Sequence, residues 1–412
     1  LIDSEILDFS VALVSNTVQF KKESPPWKPR VFSFEEAVSG VDGVDFVDAI
    51  NRSSSPGYPY VLDNKSKGKT HWFGQEGKVD FSQESALLVK TRVQALLKDA
   101  ERGVRNQNVY VDYLKDERRP VAKVDIGKTR QFMACGMDYL IAVKMYFGDF
   151  IRHVCQNRIS NGIAVGINPY DEWDVLSSYL QGGRDKEFTA GDYKQYDAKI
   201  PVPVGYGVLK CVEDFYYSST EEDRKIRSIL FLDIINSLHV ADGKLYEFVG
   251  GNPSGQPFTS VFNSVANLIM LTYMGCAIAL ESGKTLADFQ QVYLRTRFQV
   301  FGDDNIIAYL KQDRDIFGQQ SLEKNALRLL GMDYTNETKD GEMYLSRTID
   351  QISFLKRSFR KTPQGYTCPL DIDVLKETLQ WQKSNATLNE MKLRIECVCA
   401  EFARHGKEVF EE

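Results

Sequence analysis

Apolar residues recur along the chain at spacings that predict helices in some stretches and strands in others. Helical spacing predicts an amphipathic helix over residues 82–102, with Ser82 as its N-cap and Leu87 and Leu88 on its buried face. The stretch 139–154 is almost continuously apolar, which is typical of a buried helix. Both stretches are therefore predicted as helices, the second of them in the core.

Two apolar runs, 298–301 and 306–310, flank the sequence Gly302-Asp303-Asp304. Apolar runs joined at a Gly/Asp step predict a β-hairpin, here one whose tip carries adjacent carboxylates. A turn at this place lets at least one of the two carboxylates face a metal ion. Since Gly and Asp are also ordinary turn residues, a solvated turn is the alternative.

A second acidic site follows a short predicted strand that begins at Phe188 and ends at Asp192. Asp197 lies five residues further on, past a turn. Two carboxylates at a strand end either cap the helix that follows or bind a divalent cation. The residue pattern leaves both interpretations open.

A glycine- and proline-rich loop over 250–257 opens a mostly apolar helix that is predicted to span residues 257–275. Thr259, Asn263 and Asn267 stand four residues apart and form one polar stripe along this helix. A polar stripe on a buried helix either makes hydrogen bonds to other helices or recognises sugar hydroxyls. We keep both hypotheses.

The length of 412 residues and the hydrophobic content of 43% indicate a folded chain of about two to three domains. The seven cysteines are scattered and form no C-x-x-C pair, so neither a disulfide framework nor a zinc site is indicated. No uninterrupted apolar run reaches the roughly 18 residues that a membrane-spanning helix needs. We expect a soluble, intracellular protein without a direct membrane span.

The net charge of −6 argues at face value against a nucleic-acid partner, but the charge is unevenly distributed. Between Lys115 and Arg130, six basic residues stand against three acidic ones. The period-two spacing of Arg119 with Lys123, and of Lys128 with Arg130, predicts two short strands that each present cations to one face. Such a face suits a triphosphate; the alternative is a solvated hairpin with its charges outward.

The four aspartates Asp192, Asp197, Asp303 and Asp304 form two acidic strand ends. Together they can hold two Mg²⁺ ions, which in two-metal sites lie about 3.5–4 Å apart. Carboxylates with substrate phosphate are the ligands that Mg²⁺ prefers. The chemistry indicated is nucleotidyl transfer.

These sites belong to a series of motifs that runs from about Ser54 to Phe359. The motifs are G-Y-P-Y at 57–60, K-D-E-x-R at 115–119, G-K-x-R at 127–130, D-x4-D at 192–197, S-G-x3-T-x3-N at 254–263, G-D-D at 302–304 and F-L-K-R at 354–357. In their order and spacing the chain resembles the RNA-dependent RNA polymerases of positive-strand, picornavirus-like viruses. Residues 252–255 and 115–120 make it similar to dicistrovirus- and iflavirus-like members.

The resemblance implies an α+β right-hand polymerase with fingers, a palm of antiparallel sheet plus helices, and a small helical thumb. The implied fingers take up residues 1–149 and 231–250, the palm 150–230 and 251–356, and the thumb 357–412. Within the thumb, apolar residues at spacings of three and four predict an amphipathic helix over a small core; they are Leu388, Met391, Ile395, Val398 and Phe402. We expect this thumb to be incomplete.

The resemblance also implies roles for single residues. The catalytic residues would be Asp192, Asp303, Asp304 and Lys339; the three aspartates would be ligands of two Mg²⁺ ions, which Mn²⁺ can replace, and Lys339 would be a general acid for pyrophosphate. The residues that bind NTP would be Arg119, Lys123, Lys128, Arg130, Asp197, Ser254, Thr259 and Asn263. The residues that bind RNA would be Ser55, Gly57, Tyr58, Lys356 and Arg357.

The implied function is template-directed synthesis of RNA from NTPs, with release of pyrophosphate, in the replication of a viral RNA genome. The implied partners are the RNA template and primer, NTPs, a genome-linked priming peptide and other viral replication proteins, in replication complexes of the host cell cytoplasm. A reverse transcriptase is the alternative, but Asp197 and Asn263 offer hydrogen bonds to a 2′-hydroxyl. A non-catalytic RNA-binding scaffold is disfavoured, because adjacent carboxylates without metal ions repel each other.

Overall fold

The computed structural model describes residues 2–19, 28–63, 68–75, 77–183, 185–381 and 386–411. The chain folds into two compact units, one made of Leu1–Asn161 and Gln195–Tyr273, the other of Gly162–Lys194 and Met274–Glu412. The boundary near Tyr273 falls inside one long helix.

The helices and strands are named in chain order. The helices are α1 (Ser4–Val18), α2 (Phe34–Ser39), α3 (Thr70–Phe73), α4 (Glu84–Glu101), α5 (Val121–Val124), α6 (Met137–Gln156), α7 (Pro169–Gln181), α8 (Tyr196–Lys199), α9 (Val202–Phe215), α10 (Glu221–Ile235), α11 (Thr259–Glu281), α12 (Leu286–Arg295), α13 (Arg314–Phe317), α14 (Gln319–Leu330), α15 (Ile372–Gln380), α16 (Leu388–Phe402) and α17 (Lys407–Glu411). The strands are β1 (Val109–Leu114), β2 (Gln131–Ala134), β3 (Glu187–Tyr193), β4 (Asn236–Ala241), β5 (Lys244–Val249), β6 (Arg297–Phe301), β7 (Asp304–Tyr309), β8 (Tyr334–Asn336), β9 (Ser353–Phe354), β10 (Arg357–Ser358), β11 (Arg360–Thr362) and β12 (Gly365–Thr367).

The first unit is built around helix α6, which the sequence predicts as a buried helix. Helices α2, α4 and α10 pack against it. Its side chains Phe147 and Phe150 are fully buried and contact the ring of Phe258, with ring centroids 5.1 and 6.1 Å apart. An apolar sequence on all sides of a helix requires such cover on all sides, and the prediction for residues 139–154 is confirmed.

The sequence predicts helix α4 correctly but not the face that it buries. Its buried residues are Ala86, Val89, Val93 and Ala100, whereas Leu87 and Leu88 are each 48% exposed. The smaller side chains recur at i, i+3 and i+7 and form the stripe that faces the core. The N-cap is Gln83 rather than Ser82.

The sheet of the first unit has the strand order β2-β1-β4-β5. Strand β1 is antiparallel to β2 and parallel to β4, while β4 and β5 form an antiparallel hairpin. The loop of this hairpin consists of Asp242 and Gly243, both with positive φ, as the right-handed twist of a two-residue hairpin requires.

Three buried side chains tie β1 to β4. The ring nitrogens of His239 lie 2.7 Å from Asp112 Oδ1 and 2.8 Å from Ser237 Oγ. The order Ser, His, Asp is that of a hydrolase triad, but Ser237 and His239 are both buried. Because the Ser237 hydroxyl belongs to a buried residue, we interpret these contacts as satisfying buried polar groups and joining the strands.

The sheet of the second unit has the order β6-β7-β3-β8, with every neighbouring pair antiparallel. Strand β3 lies in its interior and is buried along almost its whole length. Helix α7 packs against β6 and β7, helix α13 against β7, and helix α14 against β3 and β8. A strand that is covered on both faces is typically a continuous apolar run. Residues 306–309 of the neighbouring strand β7 have this pattern.

The C-terminal part of the second unit contains the small hairpins β9-β10 and β11-β12 and the packed helices α15 and α16. Helix α16 includes all five of the predicted apolar positions, but these residues do not cover a core. Of the five apolar positions expected to do so, Val398 alone is buried in the described structure, while Leu388 and Ile395 are exposed.

Within the described residues, α11 is the one helix long and apolar enough to cross a membrane, with a mean hydropathy of 1.5 over its most apolar 18 residues. Its sequence is interrupted by Asn263, Asn267 and Thr272, so this finding does not conflict with the absence of an uninterrupted apolar run of that length. Of that window, 94% is buried, and a buried core helix has the same composition as a spanning one. The helix is six residues longer at its C-terminal end than the predicted 257–275.

Candidate active site

The acidic tip of the hairpin β6-β7 has a defined geometry. Phe301 pairs with Asp304, so that Gly302 and Asp303 form a two-residue loop. Gly302 has a φ of 60°, which glycine alone adopts readily. Asp303 therefore lies in the loop and Asp304 opens strand β7, as the sequence predicts.

Strand β3 brings Asp192 alongside this tip. Gly191 pairs with Asn305 across β3 and β7, so the next position along the antiparallel register sets Asp192 beside Asp304. Residues opposite each other on neighbouring strands share a face of the sheet. The two carboxylates, 112 positions apart in the sequence, are therefore neighbours, and Asp192 is only 8% exposed.

The crowding of carboxylates raises their proton affinity. Burial, and then the charges of Asp192 and Asp304, raise the pKa of Asp303 to about 7. Burial and the charge of Asp192 likewise raise the pKa of Asp304 to about 6, although Lys339 and Lys356 act in the opposite direction. Both shifts are those expected where like charges are held together away from water.

Lys339 is presented to this cluster by the loop after β8. Its backbone N–H donates to the side-chain oxygen of Asn336 at 2.7 Å, and its φ is 55°. Its ammonium group forms an ion pair with Asp192 Oδ2. The structure thus brings together the four predicted catalytic residues, Asp192, Asp303, Asp304 and Lys339, in the second unit.

A groove of about 810 Å³ opens at the cluster. Its charged lining includes Asp192, Asp304, Glu337, Lys339 and Lys356. Residues 332–339 read as a loop in the sequence, but 334–336 form strand β8 beside β3. Thr335 pairs with Asp192, and Glu337 follows directly after the last residue of β8. No periodic pattern in the sequence singles out Glu337.

Lys356 and Arg357 have different surroundings. Leu355 and Lys356 form the two-residue loop of hairpin β9-β10, both with positive φ, and Lys356 lines the groove. The guanidinium of Arg357 instead donates to both oxygens of Glu401, at 2.7 and 2.9 Å, and to the carbonyl of Cys368 at 2.8 Å. Arg357 is therefore held inside the second unit.

Asp197 and Asn263 meet in the first unit. Asn263 Nδ2 donates to Asp197 Oδ1 at 2.6 Å, and Asn263 Oδ1 accepts from Asn252 Nδ2 at 2.8 Å. Burial raises the pKa of Asp197, while the hydrogen bond from Asn263 and the charge of Arg130 lower it. Asp197 does not cap the short helix α8, whose N-cap is Gln195. The helix-capping alternative for this carboxylate is wrong.

The loop before α11 is fastened by the hydroxyls predicted to bind NTP. Ser254 Oγ accepts from the backbone N–H of Met133 at 3.3 Å. Thr259 Oγ1 donates to the carbonyls of Pro253 at 3.1 Å and Gln256 at 3.0 Å. In this conformation both hydroxyls shape the loop.

The predicted pair of cation-bearing strands is wrong. Strand β1 ends at Leu114 and β2 begins at Gln131, and the residues between them form a loop with the single helical turn α5. Pro120 starts this turn, with its carbonyl accepting from the N–H of Lys123 at 2.8 Å. Glu117 lies 3.5 Å from Arg119 and 3.7 Å from Arg130, whereas Lys123 and Lys128 are exposed.

The loop that contains Ser55, Gly57 and Tyr58 is rigidly held in the first unit. Gly57 has a φ of 70°, and a Cβ there would lie 1.9 Å from the carbonyl oxygen of Cys135. The buried ammonium of Lys69 donates to the carbonyls of Ser54 and Ser55 at 3.1 and 2.8 Å. Tyr58 is exposed at the surface.

The family model for viral RNA-dependent RNA polymerases matches residues 4–412. The chain belongs to this family. Its acidic hairpin, its Asp192 strand and its Lys339 loop lie within the match.

Relatives from insect viruses lead to the same result. This viral RNA-dependent RNA polymerase is 34% identical over 397 residues to the replicase polyprotein of Acute bee paralysis virus. The match covers 93% of the chain and 20% of the polyprotein. The polymerase is 30% identical over 429 residues to the replicase polyprotein of Cricket paralysis virus, and this match covers 100% of the chain and 24% of the polyprotein. These relatives are dicistroviruses, as the sequence motifs suggest. The chain spans about a fifth to a quarter of their length.

A solved structure supports the fold. The polymerase chain matches the RNA-dependent RNA polymerase of a Sicinivirus with a TM-score of 0.80 and 20% identity, over 99% of this chain and 79% of that one. This likeness confirms the expected α+β right-hand polymerase fold. The boundaries given above for fingers, palm and thumb remain a prediction.

The acidic cluster of this polymerase suits a hard divalent cation. Asp192 Oδ1 is buried and has no hydrogen-bond partner, and the donors at the tip are carboxylates, the ligands of Mg²⁺. Across the described ranges, no three His, Cys, Asp or Glu side chains are gathered closely enough to hold a metal ion as they stand. The ammonium of Lys339 lies on Asp192 and supplies positive charge there. The donor set therefore has the chemistry of a divalent-cation site, although its carboxylates are not gathered around one point in the described residues.

Proposed function

We propose that this chain copies an RNA template into RNA from NTPs, with release of pyrophosphate, by two-metal nucleotidyl transfer. The observation that carries the proposal is the arrangement of Asp192 and Asp304 side by side on one sheet face, with Asp303 in the adjoining turn and Lys339 paired to Asp192. A buried set of like charges is unfavourable by itself. It is explained if its task is to hold cations.

Asp192, Asp303 and Asp304 would hold the two Mg²⁺ ions. When bound, these ions supply charge stabilisation for the attacking and leaving oxygens, and Mn²⁺ is expected to replace them. Lys339 carries its proton on an ammonium group at the rim of the groove, 60% exposed and within reach of Asp192. A flexible ammonium in this position can transfer a proton to pyrophosphate as it leaves.

Asp197 and Asn263 would recognise the ribose of the incoming NTP. Their hydrogen bond fixes the Asn263 amide, so that its orientation does not have to be ordered when the nucleotide arrives. Ser254 and Thr259 would support them by shaping the loop. Arg119, Lys123, Lys128 and Arg130 would offset the charge of the triphosphate.

The RNA strands would be bound by Ser55, Gly57, Tyr58 and Lys356, with Arg357 acting through the shape of the hairpin that carries Lys356. Further proposed partners are a genome-linked priming peptide and other viral replication proteins. The proposed site of action is the replication complex in the host cell cytoplasm. These partners and this location follow from the family alone.

The test is primer extension on a homopolymer RNA template with Mg²⁺ or Mn²⁺, comparing NTP with dNTP. We expect extension with NTP, loss of extension in Asp303→Ala, and normal extension in Asp315→Ala, which removes an exposed carboxylate of the same unit. Equal use of dNTP would indicate a reverse transcriptase. Tight RNA binding without extension by the wild-type chain would contradict the proposal and favour a scaffold.

A further inference from the structure

Three segments that carry proposed site residues converge on one buried ion pair in the second unit. The segments are strand β3 with Asp192, the loop after β8 with Lys339, and the hairpin β9-β10 with Lys356. The ion pair joins Glu337 to Arg347, neither of which the motifs include. We propose that Glu337, held by Arg347, is a positioning residue that fixes Lys339 and Lys356 relative to Asp192. The inference rests on the proposed function.

Arg347 anchors the pair to strand β3. Its Nη1 donates to Glu337 Oε1 at 2.8 Å, and its Nη2 donates to the carbonyl of Ala190 at 3.2 Å, two residues before Asp192. Its own carbonyl accepts from the N–H of Phe188 at 3.0 Å. Arg347 is thus bound to β3 through both its backbone and its side chain.

Glu337 connects this anchor to the other two segments. Lys339 follows it by two residues in the same loop. The oxygen Oε1, which binds Arg347, also accepts from the backbone N–H of Ser353 at 3.1 Å, at the start of hairpin β9-β10. One carboxylate oxygen therefore contacts the groups that set the position of all three segments.

The hairpin needs an anchor of this kind. Leu355 and Lys356 have φ values of 53° and 60°, a backbone conformation that residues other than glycine adopt at a cost in free energy. Such turns persist where the surrounding structure determines them. The bond from Ser353 to Glu337 fixes one end of the turn, so Lys356 is directed into the groove by the same carboxylate that precedes Lys339.

Burial makes the pair firm rather than adaptable. The side chains of Glu337 and Arg347 are 8% and 4% exposed, and the guanidinium lies 4.7 Å from the ring centre of Tyr344. A buried charge that loses its partner is strongly unfavourable, so the two side chains hold each other in one arrangement. Glu337 lines the groove, its Oε2 is buried without a hydrogen-bond partner, and its charge helps to raise the pKa of Asp304.

The test uses a double variant that keeps packing but removes the hydrogen bonds, Glu337→Met with Arg347→Met. Apolar replacement of both members of a buried ion pair is often neutral for stability, whereas removal of one is not. The measurements are the single-turnover rate of NTP incorporation, the affinity for primer-template RNA and the thermal midpoint. We expect the rate to fall about 10- to 100-fold, as for a small misplacement of reacting groups. The RNA affinity should fall no further than in Lys356→Ala, and the thermal midpoint should stay close to wild type.

A control removes another ion pair of the same unit, in which the carboxylate is buried and the guanidinium is half-buried. Arg295 and Asp313 form a bidentate pair at 2.8 and 2.6 Å, and Arg295→Met with Asp313→Leu is expected to leave the incorporation rate within about twofold of wild type. Glu337→Gln retains acceptors for both N–H groups and should recover most of the rate. A Gln variant as slow as the double Met variant would overturn the positioning role.

Amide hydrogen exchange tests the same inference without catalysis. In the double Met variant we expect exchange at residues 336–342 and 353–358 to speed up at least tenfold, with helix α14 unchanged. Unchanged exchange at both segments, or a folded double Met variant that incorporates NTP at the wild-type rate, would overturn the inference. A wild-type chain that extends no primer would overturn the proposed function instead, and the exchange result would still decide whether Glu337 fixes the segments.

Discussion

Asn263 donates a hydrogen bond of 2.6 Å to the carboxylate of Asp197, and its own side-chain oxygen accepts one of 2.8 Å from Asn252. Asn252 in turn accepts from Gln256 Nε2 at 3.1 Å. The chain of amides leaves Asn263 a single orientation, with its nitrogen toward Asp197. A side chain oriented in advance suits the recognition of a hydroxyl group.

The first prediction concerns this pair. Asn263→Leu keeps the side-chain volume but removes the amide, so we expect discrimination between NTP and dNTP to fall about tenfold, which corresponds to one hydrogen bond of about 1.4 kcal/mol. The measurement is the ratio of kcat/KM for NTP and dNTP. Asn106→Leu, at an exposed position of the same unit, should leave the ratio unchanged. A ratio in Asn263→Leu equal to wild type would remove Asn263 from sugar selection.

The second prediction concerns pH and metal at Asp303 and Asp304. Their folded-state pKa values of about 7 and about 6 lie above the ordinary 3.8. The folded state therefore binds more protons than the unfolded state between pH 4 and 7, and stability from this cluster is present at low pH and lost as pH rises through 6 to 7. We expect the thermal midpoint of Asp303→Asn to exceed that of the wild type by a difference that grows from pH 5 to 7 and stays constant above pH 7.

Divalent cations should reverse this effect. Mg²⁺ binds the ionised carboxylates, so we expect it to raise the thermal midpoint of the wild type more at pH 7.5 than at pH 5.5. Asp303→Asn should lose most of this response, whereas Asp315→Asn should keep it. An equal response of wild type and Asp303→Asn would place the cation elsewhere.

The parts of this structure that the sequence predicts are those set by local chemistry. The hairpin at Gly302 follows from its turn residues, and helix α6 follows from a continuous apolar stretch. The contacts that the sequence does not reveal depend on distant partners. Glu337 and Arg347 lie in segments without a periodic pattern, and their place beside Asp192 depends on the register of β3 with β8.

The surroundings of two basic segments are set by constraints outside their local patterns. The alternation of cations after Lys115 is compatible with strands, but Pro120 favours a turn at that position and the cations lie in a loop. Arg357, which the family resemblance implies as an RNA-binding residue, donates to the carboxylate of a residue 44 positions later, and its part in RNA binding stays a prediction.

The third prediction separates Lys356 from Arg357. Lys356→Ala should weaken RNA binding and lower the slope of log affinity against log salt by about one, since one phosphate contact is lost. Arg357→Ala should instead lower the stability of the second unit by about 3 kcal/mol, because it leaves Glu401 buried without its partner. The measurements are RNA binding over a salt series and denaturant unfolding, with Lys361→Ala as an exposed control. A salt slope changed equally by Arg357→Ala would contradict this division.

The fourth prediction concerns Lys69, which is 1% exposed and donates to Ser54 Oγ at 2.5 Å as well as to the carbonyls of Ser54 and Ser55. Burial lowers its pKa from the ordinary 10.5 to about 8. Between pH 8 and 10.5 the unfolded state binds more protons than the folded state, so the contribution of Lys69 to stability rises with pH. Over the same change the side chain goes from ammonium to amine and so has one N–H donor fewer for the loop. We therefore expect affinity for a template of adenine and cytosine only, whose bases do not titrate between pH 7 and 9, to fall a few-fold over that range. Lys69→Met should bind weakly at both pH values and show no such fall, and exposed Lys98→Met should behave as wild type, all measured by fluorescence anisotropy. Wild-type affinity in Lys69→Met at pH 7 would show that the loop holds its template-binding shape without the ammonium group.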